Sequence, residues 1–455
     1  MIEKIYLALP YPLQNIALSI FGFFNDKRRY GKEFFSVLEQ STKRFDMTEE
    51  NLRGYQREML SNSLKNAEKS EFWKKRFNEF SVDLNGDPYE ELQKLPVLSK
   101  KEVQTHSSEI AIEEFKECKV HTSGTTGGGL IFWETVDSEQ ARWAVWWRYR
   151  NRLGINEGDW CGLFGGRNII SPAYRGTVFH RINYASSQVL FSCYHLSRET
   201  VKYYVDALNN KRLMWLHGYP SFLSELAGLA LTEGLKLKYT PTVITIGAEN
   251  LSSHQSDLIF RFFGVTPRQH YGLAESVSNI SESKDGRFVV DEDFSYTEFI
   301  ESNVQGCYRI VGSNFTNKAF PLFRYDSGDL AYGVNETVFP REVSAIDGRK
   351  EDVIVLKSGA VVGRLDHIFK DAIYVSEAQI IQKRNLSLII KVVCSDLWEE
   401  SKHYSELLRE FRSRLGDDLD ISIECVDRIQ RTKSGKLRFV ISEVNKVETN
   451  TSGHE

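Results

Sequence analysis

The feature of this sequence that most restricts its fold is an alternation of apolar runs, glycine-bearing turns and helical segments between residues 160 and 250. Residues 160–164, 214–217 and 241–246 read as buried strands, and a glycine follows each of them. Strand, glycine turn and helix in alternation predict a mostly parallel sheet with helices on both faces. Ligands of such folds bind beyond the carboxyl ends of the strands. We therefore expect the functional site at these glycine turns.

The character of the chain changes after residue 347. Strand-like runs at 353–356, 386–394 and 421–426 surround one helical pattern at 397–415. A chain of 455 residues is also too long for one ordinary core. We predict an α/β protein with a large N-terminal domain, residues 1–347, whose mostly parallel sheets are flanked by helices. A small, mobile α+β C-terminal domain, residues 348–455, completes it.

The N-terminal segment, residues 2–24, is rich in apolar and aromatic residues and is followed by Lys27, Arg28 and Arg29. Its longest uninterrupted apolar run, 16–24, is far shorter than the roughly 20 residues that a membrane span needs. One interpretation is a helix packed on the large domain, which we favour. The other is an interfacial helix lying on an anionic membrane.

Charge and cysteine content exclude some classes of function. The formal net charge of −4 argues against a nucleic-acid binder with a dominant basic surface. The six cysteines are far apart and form no C-x-x-C pair, and no secretory signal is recognised. This pattern predicts reduced cysteines and a cytoplasmic protein.

The most polar turn of the sequence is V-H-T-S-G-T-T-G-G-G-L at residues 120–130. Glycine lets the backbone approach a ligand closely, successive N–H groups form an anion-binding nest, and the hydroxyls add donors. These properties suit a polyphosphate. The loop is not a Walker A motif, because no lysine follows the glycines. An ordinary flexible linker is the alternative.

Four short motifs follow this loop in order. They are R-Q-H-Y-G-L-A-E at 268–275, F-R-Y-D-S-G-D at 323–329, G-R-K-E-D at 348–352 and R-T-K-S-G-K at 431–436. Each alone is typical of an ordinary surface turn. The five together resemble the adenylate-forming superfamily of acyl-CoA synthetases and peptide-synthetase adenylation domains, and they span most of the chain.

Within that superfamily the likeness is closest to phenylacetate-CoA ligases and their CapK-like relatives of capsular polysaccharide loci. Three strings carry it: I-Y-L-A-L-P-Y-P-L-Q-N near the N-terminus, L-P-V-L-S-K at 95–100 and G-A-E-N-L-S at 247–252. Phenylacetate-ligase relatives often have a Cys/His zinc cluster after the tyrosine-glycine motif. Residues 281–286 contain no cysteine or histidine, so we expect no such zinc.

The resemblance implies roles for particular residues, with ATP and Mg²⁺ as cofactors. The phosphates would be held by Ser123, Gly124, Thr125, Thr126 and Gly127. Adenine would lie between the Tyr271–Gly272 pair and the turn formed by Gly247, Ala248 and Glu249. The ribose would bind Asp329, assisted by Arg349. The catalytic residues would be Lys436, at the α-phosphate and the acid, and Glu275, which would also bind Mg²⁺.

The implied reaction is attack of a carboxylate on the α-phosphate of ATP, with release of pyrophosphate. The acyl group of the acyl-AMP then passes to a thiol such as CoA, or to an amine such as an amino sugar. The small domain would close to bring in Lys436 and then rotate at a hinge, where Glu351 replaces the usual Asp or Lys. A nucleotide-binding scaffold without turnover and a membrane-surface assembly protein are the alternatives.

Overall fold

The computed structural model describes residues 2–122, 130–165, 169–171, 173–302, 306–347, 354–357, 361–362, 365–369, 372, 374–395, 398–415, 419–431 and 437–444. Its α-helices are α1 (Ile2–Ala8), α2 (Tyr11–Arg29), α3 (Lys32–Arg44), α4 (Glu49–Ala67), α5 (Glu71–Glu79), α6 (Pro88–Gln93), α7 (Lys100–Thr105), α8 (Ser107–Ile110), α9 (Val136–Arg152), α10 (Val201–Lys211), α11 (Pro220–Thr232), α12 (Ser253–Phe263) and α13 (Glu400–Leu415).

Its strands are β1 (Cys118–His121), β2 (Ile131–Glu134), β3 (Cys161–Gly165), β4 (His180–Asn183), β5 (Gln188–Ser192), β6 (Trp215–Gly218), β7 (Val243–Ile246), β8 (Arg268–Gly272), β9 (Asn279–Glu282), β10 (Phe288–Val290), β11 (Ser295–Glu301), β12 (Cys307–Asn314), β13 (Tyr325–Tyr332), β14 (Glu342–Val343), β15 (Ala345–Asp347), β16 (Ile354–Val355), β17 (Val361–Val362), β18 (Val375–Gln382), β19 (Leu388–Cys394), β20 (Ile421–Cys425) and β21 (Val440–Ser442).

The largest sheet has nine strands in the order β14-β10-β9-β8-β7-β6-β3-β5-β4. Its five central strands, β5, β3, β6, β7 and β8, run parallel, and the outer strands pair antiparallel. The sequence V-I-T-I of β7 is buried throughout, as expected for a parallel strand covered on both faces. The three strands predicted at 160–164, 214–217 and 241–246 are β3, β6 and β7, so the mixed α/β fold class is confirmed.

A second sheet, β11-β12-β13-β15, is antiparallel throughout and packs beside the first. Strands β1 and β2 form a separate hairpin that leads into and out of the glycine-rich loop. The Thr122 amide donates to the Leu130 carbonyl at 2.9 Å, and the Leu130 amide donates to Thr122 Oγ1 at 2.8 Å. These two hydrogen bonds close the base of the loop.

The C-terminal unit has its own sheet, β20-β19-β18-β21, and its own core. Leu407 and Phe411 of α13 are fully buried against Ile380 of β18 and Ile390 of β19. Apolar residues at i and i+4 on the helix thus cover the period-2 apolar face of the sheet. The helix and strands expected in this region are present.

The prediction of reduced cysteines is wrong for one pair, because Cys394 and Cys425 form a disulfide. The parallel pairing of β19 with β20 brings the carboxyl ends of both strands together, so that their Cα atoms are 6.2 Å apart. Thirty-one residues separate the two cysteines in sequence. Only the strand order could reveal this contact, since cysteine spacing carries no information at such a separation.

The N-terminal segment forms two helices, because Pro10 is extended and caps α2. Helix α2 packs on the large domain along edge strand β4, as the favoured interpretation expects. Asn15 Oδ1 accepts the Ile182 amide at 2.9 Å, and Ser19 Oγ accepts the Tyr184 amide at 3.0 Å. These bonds satisfy backbone groups of an edge strand that would otherwise face solvent. No helix in the described part of the chain is long and apolar enough to cross a bilayer.

Candidate functional site

A cavity of about 410 Å³ lies at the carboxyl ends of the parallel strands. Three of the expected nucleotide residues, Gly247, Ala248 and Gly272, line it together. Ala248 has φ of +67°, a left-handed conformation that costs a non-glycine residue free energy. The surrounding structure therefore imposes the shape of this turn.

Gly272 is required by its surroundings. A Cβ atom there would lie 2.7 Å from Asn279 Oδ1 and 3.0 Å from Trp146 Nε1. Those two atoms are themselves hydrogen-bonded at 3.1 Å. The close approach of β8 to α9 therefore depends on the missing side chain.

The remaining wall of the cavity combines aromatic side chains with a few polar ones. Helix α9 and strands β3, β5, β6, β7 and β8 supply most of the lining. The principal side chains are Trp146, Tyr149, Arg150, Phe164, Phe191, His217 and His270. A mostly apolar cleft with a few convergent polar groups is the usual form of a small-molecule site.

The two histidines of the cavity are neutral at pH 7. Burial, and secondarily the positive charge of Arg150, lowers the pKa of His217 to about 3 and that of His270 to about 3. His217 Nδ1 contacts Thr245 Oγ1 at 2.9 Å. Neither imidazole therefore brings a charge to a bound acid, and Arg150 is the fixed positive charge in the cavity lining.

The motif at 268–275 is joined to the motif at 323–329 by one hydrogen bond. Tyr271 Oη donates to Asp329 Oδ2 at 2.9 Å. Tyr271 lies on β8 of the large sheet and Asp329 on β13 of the second sheet. Burial, and then the neighbouring Asp329 carboxylate, raises the pKa of Tyr271 well above its usual range, so the phenol stays a neutral donor. Asp329 is 8% exposed.

Glu275 ends the first motif in a buried position. Burial raises the pKa of its carboxyl group above the usual value. The backbone around it is held by side chains, because Arg142 donates to the Ala274 carbonyl at 2.5 Å and Asn314 donates to the Glu275 carbonyl at 3.2 Å. These bonds hold the backbone of Glu275, and the negative charge of Asp329 adds to the raised pKa of its carboxyl group.

The Glu249 carboxylate accepts hydrogen bonds from two backbone amides. Its Oε2 accepts the Ser221 amide at the start of α11 at 3.2 Å, and its Oε1 accepts the Leu437 amide at 2.7 Å. Burial raises the pKa of this carboxyl group, whereas these donors oppose the shift. Glu249 therefore links the Gly247–Ala248 turn to the C-terminal unit.

A second contact between the two units centres on Arg431. Its guanidinium donates to Glu225 of α11 at 3.4 Å and also to Glu377 of β18. Burial raises the pKa of Glu377 to about 7, opposed by Arg431. Arg431 and Leu437 are the described residues on either side of segment 432–436, and both contact the large unit.

Other expected site residues lie outside the described residues. They are Ser123, Gly124, Thr125, Thr126, Gly127, Arg349, the hinge residue Glu351 and Lys436. Their assigned roles remain predictions from the sequence.

The tryptophans of helix α9 have different surroundings, although the rings of Trp143 and Trp146 are in contact. Trp146 lines the cavity, whereas Trp147 and Trp143 pack in a separate core with Tyr30. The sequence analysis did not identify Arg150 or His270 as lining residues. Arg150 follows Trp146 by four residues, and this i to i+4 spacing is the signal that places Trp146 and Arg150 on one face of α9.

Behind the cavity wall, a buried ion-pair network holds α9 against the sheet. Arg148 donates to Asp291 at 2.7 Å and to Asp293 at 2.8 Å. Asp291 also accepts from Asn279 at 2.6 Å, and Asn279 accepts from Trp146. The network therefore fixes the Trp146 side of the cavity.

Several known proteins resemble this chain in sequence or in fold. Residues 354–443 match the CapK C-terminal domain family. The chain is 25% identical to Protein CapK of Staphylococcus aureus, over 98% of this chain and 100% of that protein. Its fold is similar to 2-hydroxyisobutyryl-CoA ligase in complex with 2-HIB-AMP in the postadenylation state (TM-score 0.67, 17% identity, covering 86% of this chain and 89% of that one). It is also similar to that ligase with 2-HIB-AMP and CoA in the thioesterification state (TM-score 0.53, 17% identity, 88% and 91%).

Proposed function

We propose that this chain, a CapK-like protein with the fold of adenylate-forming ligases, couples a carboxylic acid to AMP at the expense of ATP. The observation that carries this proposal is the Tyr271–Asp329 hydrogen bond at the end of strand β8, where the next residue, Gly272, lines the cavity together with the Gly247–Ala248 turn. An aromatic ring, a carboxylate and a shaped backbone turn are the groups that recognise adenine and ribose. The adjoining cavity is lined mainly by apolar side chains and suits the acid.

The proposal assigns the phosphates to the glycine-rich loop and the metal to Glu275. In our proposal Ser123, Thr125 and Thr126 hold the β- and γ-phosphates, and Glu275 supplies one oxygen to Mg²⁺, which is usually bound by one or two carboxylates together with phosphates. A bound cation favours the ionised form of a buried carboxyl group, and burial disfavours that form in Glu275. Mg²⁺ would neutralise charge on the phosphates.

Lys436 is the proposed catalytic group of the C-terminal domain, residues 348–455. It would stabilise charge on the α-phosphate as the acid attacks. The contacts of Arg431 and Leu437 with the large unit support a closed arrangement during adenylation. Rotation at Glu351 would then prepare the transfer step. The acceptor in this proposal is a CoA-like thiol or an amine, including an amino sugar of surface polysaccharide synthesis.

The test is ATP–pyrophosphate exchange over a panel of acids. Lys436→Ala should bind ATP nearly as well as the wild type but exchange roughly 10²–10³ times more slowly. Transfer from a supplied acyl-AMP should be largely spared. Lys402→Ala, a change on the exposed surface of α13, is the matched control. Exchange at the wild-type rate in Lys436→Ala would contradict this mechanism. ATP binding without exchange for any acid would favour the nucleotide-binding scaffold instead.

A second proposal concerns the N-terminal helix, which we propose lies on the inner face of an anionic membrane. Helix α2 exposes an apolar face at helical spacing, and its members are Leu13, Ile16, Ile20, Phe21, Phe23 and Phe24, each 47–65% exposed. A groove runs along this apolar face, and Tyr184, which is 61% exposed, borders it. The Trp160 ring packs against the Tyr184 ring. Basic residues Lys27, Arg28 and Arg29 end the helix. Aromatic residues beside basic ones are typical of membrane interfaces.

Flotation with lipid vesicles tests this second proposal. The protein should float with vesicles containing anionic lipid and much less with neutral vesicles or at high salt. Phe23→Ser combined with Phe24→Ser should abolish flotation, whereas Phe260→Ser, at an equally exposed site on α12, should not. A stable dimer that the double variant disrupts, without any flotation, would assign the face to a second copy and contradict the proposal.

A further inference from the structure

Arg150 lies in the cavity wall, where aromatic rings surround its guanidinium and no described residue forms a hydrogen bond with it. It stands near the end of α9, and its guanidinium carbon lies 4.9 Å from the ring centre of Trp147, 5.1 Å from Trp215 and 5.6 Å from Trp143. Its side chain also lines the cavity. The cation–π contacts hold the guanidinium in place, but they use none of its five N–H donors.

Within the described ranges, no Asp or Glu forms an ion pair with Arg150, and no acceptor forms a hydrogen bond with it. Two arginines of the same helix are different. Arg142 pairs with Glu134 at 3.1 Å, and Arg148 pairs with Asp291 and Asp293. Burial lowers the pKa of Arg150, as it does for a cation without a counter-ion. A desolvated charge is costly unless something compensates it.

Two further polar atoms beside Arg150 are also unsatisfied. Tyr149 is 4% exposed, and its hydroxyl oxygen is buried without a hydrogen-bond partner. His270 Nε2 is likewise buried without a partner. Both side chains line the cavity. Buried polar groups are normally paired, and here two unpaired ones share the wall of one cavity with the Arg150 cation.

We propose that the acid bound in this cavity carries a second acidic group, which Arg150 binds, so that the substrate is a diacid. This inference rests on the proposed function for the role of the other carboxylate, which would react near the Gly247–Gly272 edge. A carboxylate matches the fork of an arginine in bidentate geometry. Its remaining lone pairs would accept hydrogen bonds from the Tyr149 hydroxyl and from the protonated nitrogen of His270.

The experiment compares matched acids that differ only in the distal group. The pairs are valerate with glutarate, heptanoate with pimelate, and phenylacetate with 4-(carboxymethyl)benzoate. Binding is measured without nucleotide by calorimetry, and activation is measured separately by ATP–pyrophosphate exchange. For at least one pair, the wild type should prefer the diacid by roughly 10–100-fold, the worth of hydrogen bonds to a charged group.

The variants are Arg150→Met, which keeps the length and apolar contacts, and Arg150→Lys, which keeps the charge. Arg150→Met should lose the preference for the diacid and bind the monoacid at least as well, and Arg150→Lys should retain part of the preference. Arg152→Met is the control, because its guanidinium lies over Phe45 and not in the cavity lining. Folding of each variant is checked by circular dichroism.

The outcomes separate the two proposals. Diacid-selective binding that depends on Arg150, without exchange for any acid, would support the pocket assignment and contradict the adenylation proposal. Exchange with monoacids that Arg150→Met weakens as much as it weakens diacids would show that Arg150 holds the reacting carboxylate, and would overturn the inference. Equal binding of both members of every pair by the wild type would overturn it as well.

Discussion

Replacing Tyr271 with phenylalanine should weaken ATP binding while keeping the aromatic face that we propose stacks on adenine. The change removes only the hydroxyl that donates to Asp329 Oδ2 at 2.9 Å. Loss of the whole ribose anchor, as in Asp329→Ala, should cost about 1.5–3 kcal/mol, the usual worth of hydrogen bonds to a charged group. Tyr271→Phe keeps the carboxylate and removes one hydrogen bond to it. We expect a loss of about 1 kcal/mol, roughly fivefold in Kd.

The same substitution should also lower the stability of the free protein. Asp329 is 8% exposed, so a buried acceptor loses a donor, and the free energy of unfolding should fall by about 1–3 kcal/mol. ATP binding is measured by calorimetry in the absence of acid, and stability by urea unfolding. Tyr308→Phe, on strand β12 of the second sheet, serves as the matched control for removal of a tyrosine hydroxyl.

A double variant decides between a functional and a structural pair. If Tyr271 acts on ATP through Asp329, then Tyr271→Phe in the Asp329→Ala background should cause no further loss of ATP affinity. An unchanged ATP affinity in Tyr271→Phe, together with lower stability, would show that the hydrogen bond only joins the two sheets. Additive losses in the double variant would contradict positioning through Asp329.

Three further predictions concern other parts of the molecule. Thr125→Val should slow acyl-AMP formation without changing the circular dichroism spectrum, because the substitution keeps the side-chain size and removes one hydroxyl that we propose as a phosphate donor. Arg148→Met should lower the free energy of unfolding by about 3–5 kcal/mol in urea titrations, since it removes the cation paired with buried Asp291 and leaves Asp293 with Arg44 alone; a loss below 1 kcal/mol would refute this. Because burial raises the pKa of Glu377 to about 7, this carboxyl group keeps a proton in the folded protein at pH values where the unfolded protein has lost it. Stability should therefore fall as the pH rises from about 4.5 to about 7, and thermal melts of Glu377→Gln should show a smaller fall over that range.

A few adjacent residues are sufficient to specify some local structure. The capping box at Ser99 and Glu102 forms with both reciprocal hydrogen bonds, because all of its atoms lie within one helical turn. The apolar, β-branched run of β7 becomes a strand buried on both faces. In each case a few adjacent residues contain the whole interaction, so their order in the sequence is sufficient.

The order of the motifs predicted the fold, but it did not predict the geometry of the site. Tyr271 and Asp329 are 58 residues apart, and each lies on a different sheet. Their resemblance to known motifs assigned both to the nucleotide, whereas the packing of β8 against β13 makes them hydrogen-bonded partners. Glu249 belongs to the turn that the resemblance assigns to the adenine wall, and the structure adds that its carboxylate accepts amides of Ser221 and Leu437.

By itself the sequence determined the alternation of strands and helices, the α/β class and the set of short motifs, because these depend on periodicity and on short runs of residues. Only the tertiary structure decided that Cys394 meets Cys425, that α2 keeps an apolar face in solvent, and that Arg150 lies in a cavity whose described lining contains no carboxylate. These properties depend on which distant elements become neighbours. Strand order and helix packing set those contacts, and no single segment encodes them.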